Sequence, residues 1–185
     1  SNLMNYARAG FDALEPVAWG WRRSKKGKES FLLLAELEGY RSLQDWLSDR
    51  DLSTDPVRRQ TLREAVAHML MRIHHAGLVH MDLFSWHIFL KFHGHAFLAL
   101  PIDLERSILK RSRPWSSWRI LNKQANDLAA LHLTVPWPQV GFSERMRFFL
   151  DYRGHHALNE DDKRLLRKVL ARARRRGRQK KFKPF

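Results

Sequence analysis

Asp82, His87 and Asp103 are the residues of this sequence whose types and spacing are best suited to chemistry. His87 follows Asp82 by five positions, and Asp103 lies 21 positions beyond Asp82. A carboxylate can accept a proton from a hydroxyl group, and hard oxygen ligands can hold Mg²⁺ against phosphate groups. If folding brings them to one pocket, these residues suit the transfer of a phosphoryl group.

The elements expected to position these residues are a long helix before them and a β-hairpin between them. Asp55 and Pro56 predict the helix start, because a carboxylate caps the first turn and proline takes the first helical position. Gly77 predicts the helix end. The hairpin consists of two apolar strands, residues 88–92 and 96–102. It turns the chain back, so the second carboxylate is expected beside the loop that carries the first.

Elsewhere the sequence predicts a helix that ends at Gly10, an antiparallel pair of strands and four further helices. Residues 16–23 and 31–37 form the strand pair, with a polar loop between them. A short helix is expected to begin at Ser42. The remaining helices are predicted over residues 116–133, 143–152 and 160–176.

Composition excludes several classes of protein. The chain has 185 residues and is 44% hydrophobic, which is enough for a packed core and excludes disorder as the dominant state. It has no cysteine, so a disulfide scaffold, a thiol nucleophile and a cysteine-ligated metal site are excluded. No apolar run approaches the roughly 20 residues of a membrane span, and no signal peptide is recognisable. We therefore expect a cytoplasmic protein.

The positive charge is concentrated at one end of the chain. The net charge is +15, but residues 163–185 carry 12 lysines and arginines and no acid. Residues 1–162 hold 22 basic and 19 acidic residues, which is an ordinary balance. The tail is therefore the basic element, and anionic membrane or nucleic acid are the partners that such a charge attracts.

The order of the chemical residues and elements is that of kinase catalytic lobes. His80-Met81-Asp82 resembles the kinase HRD triplet, His87 stands in the place of the metal-binding asparagine, and residues 102–106 (IDLER) resemble the DFG region. Met81 replaces the usual arginine of the triplet.

Further segments narrow the resemblance to one family. An aromatic residue, Phe84, lies two positions after Asp82, residues 126–131 (NDLAAL) resemble a KDLAxL motif, and residues 143–152 resemble the arginine-and-aromatic segment that follows it. Over about residues 30–153 the sequence resembles the lipopolysaccharide core kinases, which phosphorylate heptose or Kdo sugars. The resemblance implies an α+β fold: a protein-kinase-like C-terminal lobe, mainly helical with short β-hairpins, plus a remnant of the N-terminal lobe.

The resemblance also implies roles for particular residues, with ATP and Mg²⁺ as cofactors. Each residue is assigned by its position in the family's motifs: Asp82 as catalytic base with His80 supporting its loop, His87 and Asp103 toward Mg²⁺, the backbone of Glu36 and Glu38 at the adenine edge, Phe89 and Ile102 as an apolar floor, and Asp127 as the anchor of the loop. Arg106 and Arg119 are candidates for contact with an anionic sugar, and Arg106 is preferred because it follows Asp103 closely. The tryptophans are expected to pack in the core or on a sheet, and none is assigned to a substrate.

Three regions are expected along the chain: residues 1–38 as an N-lobe remnant with the hinge strand, 39–162 as the catalytic lobe, and 163–185 as a basic helix and tail. The expected partners are a sugar acceptor of the lipopolysaccharide core and, through the tail, the anionic surface of the inner membrane. Only about 30 residues precede the hinge, and no glycine-rich loop or ATP-binding lysine is recognisable among them. We expect either that the N-terminal part of the kinase is missing from this sequence or that the lobe no longer catalyses. A catalytically silent binding module is therefore an alternative function, and a nucleic-acid-binding protein is a less favoured one.

Overall fold

The computed structural model describes residues 2–11, 14–25, 27–109, 117–137 and 139–178. Within these residues the helices are α1 (Asn2–Arg8), α2 (Leu43–Leu47), α3 (Arg50–Thr54), α4 (Pro56–His75), α5 (Ser117–Thr134), α6 (Phe142–Arg153) and α7 (Glu160–Gly177). The strands are β1 (Pro16–Ser24), β2 (Gly27–Leu34), β3 (Arg41–Ser42), β4 (Leu78–Val79), β5 (Ile88–His93), β6 (Ala96–Pro101) and β7 (Ile108–Leu109). The mixed helical and strand architecture confirms the predicted α+β class.

Helix α4 is the long helix predicted before the chemical residues. The Asp55 side chain accepts a hydrogen bond from the Arg58 amide at 2.9 Å, and Pro56 begins the helix, so both start signals act as predicted. Gly77 follows the helix with a positive φ of 75°, a conformation that suits glycine. Leu70 and Ile73 are fully buried, which fixes α4 in the main hydrophobic core.

The hairpin β5–β6 forms with the predicted pairing. Its register runs from Ile88 opposite Pro101 to His93 opposite Ala96, and Gly94 turns the chain with a φ of 60°. One more backbone bond, from the Ile102 amide to the carbonyl of the residue before β5, continues the ladder at 2.9 Å. The hairpin therefore returns the chain to its own starting point. Strand β3 completes this sheet, and β4 pairs with β7 in a second one.

Strands β1 and β2 form the predicted antiparallel pair, but the polar loop expected between them is wrong. The ladder extends until Ser24 lies opposite Gly27, and Arg22 and Glu29 pair across the strands at 2.7 Å. Several large apolar side chains of this hairpin are exposed: Val17, Trp19, Trp21, Phe31, Leu32, Leu33 and Leu34.

The last three helices, α5, α6 and α7, are far from this hairpin in sequence. Helix α7 begins with a capping box between Asn159 and Asp162, and it buries Leu165 and Val169 in the same core as α4. Its packing face meets α5. Of the predicted basic tail, residues 179–185 lie outside the described residues. None of the described helices is both long enough and apolar enough to cross a bilayer.

Candidate active site

The loop that carries Asp82 is anchored by a buried carboxylate on α5. One oxygen of Asp127 accepts the His80 amide and the other accepts the Met81 amide, each at 2.8 Å, and the Asp127 side chain is fully buried. Met81 has a φ of 74°, in the left-handed region that is strained for a residue with a side chain. The Asp127 carboxylate therefore holds the backbone just before Asp82 in a conformation that it would not keep unaided.

A buried chain of side chains extends this anchor to α4 and α6. The Tyr152 hydroxyl lies 2.7 Å from His74 Nδ1, and His74 Nε2 lies 3.3 Å from Asp127 Oδ2. Burial raises the pKa of the Tyr152 phenol, so the phenol stays protonated and its hydroxyl donates to His74 Nδ1. The ring proton of His74 is then on Nε2, which faces the Asp127 carboxylate. The sequence did not indicate this chain, because the three residues are far apart in sequence and His74 resembles an ordinary helix-end histidine.

His80 is an internal support of the loop. Its ring is fully buried, and Nε2 donates to the carbonyl oxygen of Ile102 at 2.8 Å. Burial lowers the pKa of the imidazole, so the ring is neutral. This bond ties the Asp82 loop to the end of β6, and the ring has no solvent-facing surface for a substrate. This geometry is that of a positioning residue, in keeping with the supporting role that the resemblance implies for His80.

Asp82 is paired with Arg106. Its Oδ2 atom accepts a hydrogen bond from Arg106 NH1 at 2.7 Å, and the carboxylate side chain is 17% exposed whereas the arginine is 65% exposed. The segment that carries Arg106 is fixed from α1, since Asn2 Nδ2 donates to the Leu104 carbonyl at 2.7 Å and to the Ser107 carbonyl at 3.0 Å. Asp82 therefore faces a positively charged, solvent-accessible group on an anchored segment.

His87 and Asp103 lie together at the base of the hairpin. His87 Nδ1 lies 2.8 Å from the Asp82 carbonyl oxygen and donates to it, so Nε2 is the ring nitrogen left for a ligand. Nε2 is 3.5 Å from Asp103 Oδ2. An imidazole nitrogen and a half-exposed carboxylate are a donor set that fits a divalent cation, with phosphate oxygens and water as further ligands. No group of three or more such ligands occurs among the described residues.

The segment predicted as the hinge, residues 35–39, runs over one face of the β5–β6 sheet. Lys91 Nζ donates to the Glu38 carbonyl at 3.1 Å, which ties the segment to this face. Phe89 lies opposite Leu100 in the ladder, and Ile102 follows two positions later, so Phe89 and Ile102 share the face from which Lys91 projects. Both are partly exposed, and the side chains of Glu36 and Glu38 are exposed.

These features together define a protein-kinase-like catalytic lobe: a loop carboxylate anchored from a helix below, and a second carboxylate brought to it by a hairpin. Residues 1–148 match the model of the family described as "Lipopolysaccharide kinase (Kdo/WaaP) family". The chain belongs to this family, as its motifs predicted.

Named relatives agree with this assignment. The chain is 31% identical over 153 residues, 78% of its length, to lipopolysaccharide core heptose(I) kinase WaaP of Pseudomonas aeruginosa, of which the match covers 54%. It is 33% identical over 107 residues, 58% of its length, to 3-deoxy-D-manno-octulosonic acid kinase of Xanthomonas euvesicatoria, of which 38% is covered.

A solved structure supports the fold. The structure "WaaP in complex with acyl carrier protein" superposes with a TM-score of 0.70 at 26% identity, covering 99% of this chain and 74% of that one. The predicted kinase-like fold is confirmed. The chain spans about half or less of the curated relatives' own length.

Proposed function

We propose that this chain forms the catalytic lobe of a kinase that transfers the γ-phosphoryl group of ATP to a hydroxyl group of heptose or Kdo in the inner core of lipopolysaccharide. The observation that carries the proposal is that His87, on the loop that also carries Asp82, lies within 3.5 Å of Asp103. Family membership supports the reaction class, and the heptose and Kdo kinases among its relatives support the two sugars.

Asp82 acts as the general base in this proposal. Its carboxylate accepts the proton of the sugar hydroxyl while that oxygen forms a bond to the γ-phosphorus, and the bond from phosphorus to the bridging oxygen breaks to release ADP. The strained, anchored backbone at Met81 keeps the carboxylate in place during the transfer, because two buried hydrogen bonds to Asp127 hold it. His80 and Asp127 are positioning residues.

The nucleotide binds between the hinge segment and the β5–β6 face. The backbone of Glu36 and Glu38 supplies the adenine edge, and Phe89 and Ile102 supply an apolar floor, since a planar base needs both. The Glu38 carbonyl already accepts a bond from Lys91, so the remaining backbone groups of the segment read the base. His87 Nε2 and Asp103 would hold Mg²⁺, which neutralises charge on the transferring phosphate when bound.

Arg106 recognises an anionic group of the acceptor. Arg106 now donates one hydrogen bond to Asp82, and a carboxylate or phosphate on the acceptor can accept two such bonds from the same guanidinium group. When Arg106 turns to that group, Asp82 loses its partner and is free to accept a proton. The ion pair therefore links acceptor binding to activation of the base.

The test is transfer of labelled phosphate from γ-labelled ATP to Kdo or heptose acceptors in single turnover. Asp82→Asn is expected to slow transfer by about 10²- to 10⁴-fold, the usual contribution of a general base, with little change in nucleotide affinity. Asp161→Asn, an exposed acid on α7, is the matched control and should leave transfer unchanged. Unchanged transfer in Asp82→Asn would refute the assignment. MgATP binding without transfer by the unmodified protein would instead support the silent-module alternative.

Helix α7 supports a peripheral position at the cytoplasmic face of the inner membrane. Arg174 and Arg175 are exposed, and among the described residues neither has an acidic partner, whereas Lys163 at the other end of the helix pairs with Glu160 at 2.8 Å. Each unpaired cation near an anionic leaflet contributes about 1 kcal/mol. Replacing both arginines by glutamine should weaken binding to phosphatidylglycerol vesicles by about 30-fold. Lys163→Gln should change it little, and equal binding to phosphatidylcholine vesicles would contradict the proposal.

An acyl carrier protein is a second proposed partner. The WaaP structure to which this chain is similar is a complex with such a protein. An apolar cavity of about 100 Å³ between α4, α5, α6 and α7, lined in part by Leu62, Val66 and Phe148, supports an acyl-chain ligand. Val66→Phe should fill the cavity and weaken binding of the acylated carrier more than of the unacylated one. Val57→Phe, at an exposed position of α4, is the control, and equal effects on both carrier forms would refute the proposal.

A further inference from the structure

Trp86 is a large apolar side chain exposed inside the candidate active-site loop. It lies between Asp82 and His87, and 43% of its surface is exposed. Sequence alone predicts a packing role for the tryptophans. An indole that remains open to solvent at the centre of a catalytic loop has a different position from one that fills a core.

The indole is held in a fixed orientation. It stacks on Phe84 with ring centroids 4.9 Å apart and planes inclined by 28°, and Phe84 is itself buried. The residue between them is clamped to the end of α5, since the Ser85 amide donates to Thr134 Oγ1 at 2.9 Å and the Ser85 hydroxyl donates to the Thr134 carbonyl at 3.0 Å. The loop therefore holds the indole without the freedom of an ordinary surface side chain.

The indole borders the chemical residues directly. Its ring meets the His87 ring edge to face, with centroids 6.0 Å apart. The Nε2 atom of that histidine faces Asp103, and its Nδ1 atom bonds the Asp82 carbonyl. A group lying on Trp86 therefore lies next to His87, which contacts both the Asp82 backbone and Asp103, whereas the proposed adenine site is formed by Phe89, Ile102 and the hinge segment.

We infer that Trp86 is the platform on which the sugar ring of the phosphate acceptor stacks. This inference rests on the proposed function and deepens it by naming an acceptor-binding residue. A pyranose ring has one face of C–H groups, which packs on an indole, while its hydroxyl groups point outward to polar partners. Stacking on Trp86 holds one such hydroxyl beside Asp82. Trp86 thus selects a ring of the acceptor, and Arg106 selects its charge.

The kinetic test separates the acceptor from the nucleotide. Trp86→Ala is expected to raise the KM for the sugar acceptor by roughly three- to tenfold, as for the loss of one aromatic contact, and to leave the KM for ATP unchanged. Trp86→Phe keeps an aromatic face and should restore most of the acceptor affinity. Trp21→Ala, at a 68% exposed position of β1, is the matched control and should alter neither constant. An unchanged acceptor KM in Trp86→Ala, or a rise in the KM for ATP instead, would overturn the inference.

A binding measurement gives a readout that does not depend on phosphate transfer. The protein has seven tryptophans, so 5-fluorotryptophan labelling gives a small set of ¹⁹F signals, and Trp86→Phe identifies the signal of Trp86. Kdo or heptose should shift this signal, and an open-chain hexitol, which has no ring face, should not. A shift without phosphate transfer would keep the platform and reject the proposed function. Transfer with no shift for either sugar would reject the platform and keep the function.

Discussion

Removal of the Asp127 carboxylate tests the anchor of the catalytic loop. In Asp127→Ala the buried amide of His80 and the partly buried amide of Met81 both lose their acceptor. An unsatisfied buried amide costs about 1–3 kcal/mol, so the loss of unfolding free energy expected for the two amides is about 2–6 kcal/mol. Asp127→Asn keeps one oxygen acceptor and should lose about 1–3 kcal/mol. Against a typical total of about 5–15 kcal/mol, both losses are large but leave a measurable folded state.

The assay pairs stability with activity. Urea unfolding followed by circular dichroism gives the free energy of unfolding, and single-turnover transfer of labelled phosphate gives the rate of the step that Asp82 assists. Because the strained backbone at Met81 relaxes when its anchor is lost, transfer should fall even under conditions in which Asp127→Asn remains folded.

The control is Asp161→Asn, which alters an exposed acid of α7 and should change the unfolding free energy by less than about 0.5 kcal/mol. If Asp127→Asn and Asp161→Asn unfold at the same urea concentration, the carboxylate does not anchor the loop. If Asp127→Asn loses stability but transfers phosphate at the normal rate, the anchor supports the fold and not the base.

Three further predictions concern stability. Met81→Gly should raise the unfolding free energy by about 1 kcal/mol in urea, because glycine adopts a φ of 74° without strain; a loss would contradict this. Burial, helped by Arg145, lowers the pKa of His132 to about 4, so the unfolded chain binds its proton more tightly. Stability should therefore fall by about 2 kcal/mol as pH drops from about 6.5 to 4, and a pH series of His132→Gln should be flatter in that window. Burial of Asp162 opposes its ionisation, but hydrogen bonds from Arg153 and His155 outweigh burial and lower the pKa of this carboxyl group. Asp162→Asn should therefore lower the unfolding free energy by roughly 2 kcal/mol at pH 7, and this loss should shrink as pH falls below about 4.

The parts of the fold that the sequence predicted are those with local signals. Asp55, Pro56 and Gly77 act within a few residues of the helix ends that they set, and the β5–β6 turn is centred on Gly94. Strands β3, β4 and β7 have two residues each, which is too short for an alternating pattern to appear. These short strands form because packing of the core already fixes the loops that they join.

In the candidate active site, too, the sequence predicted only the features that depend on local signals. The order of Asp82, His87 and Asp103 could be recognised along the chain, because the hairpin between them is local. The bond of Arg106 to Asp82 and the contact of His74 with Tyr152 could not, since they join residues 24 and 78 positions apart. The sequence places Asp162 in the first turn of α7, where any acid complements the helix dipole, but its burial against Arg153 depends on how α6 and α7 pack.

The β1–β2 hairpin has a consequence for how the protein behaves in solution. Among the described residues no further strand pairs with β1 or β2. Their outer edges and the exposed Trp19, Trp21 and Phe31 favour pairing between molecules, while Arg23 and Lys28 near the turn repel a second copy. Added salt screens that repulsion but leaves the apolar attraction intact. We therefore expect concentrated protein to self-associate as ionic strength rises, with the hairpin as the point of contact.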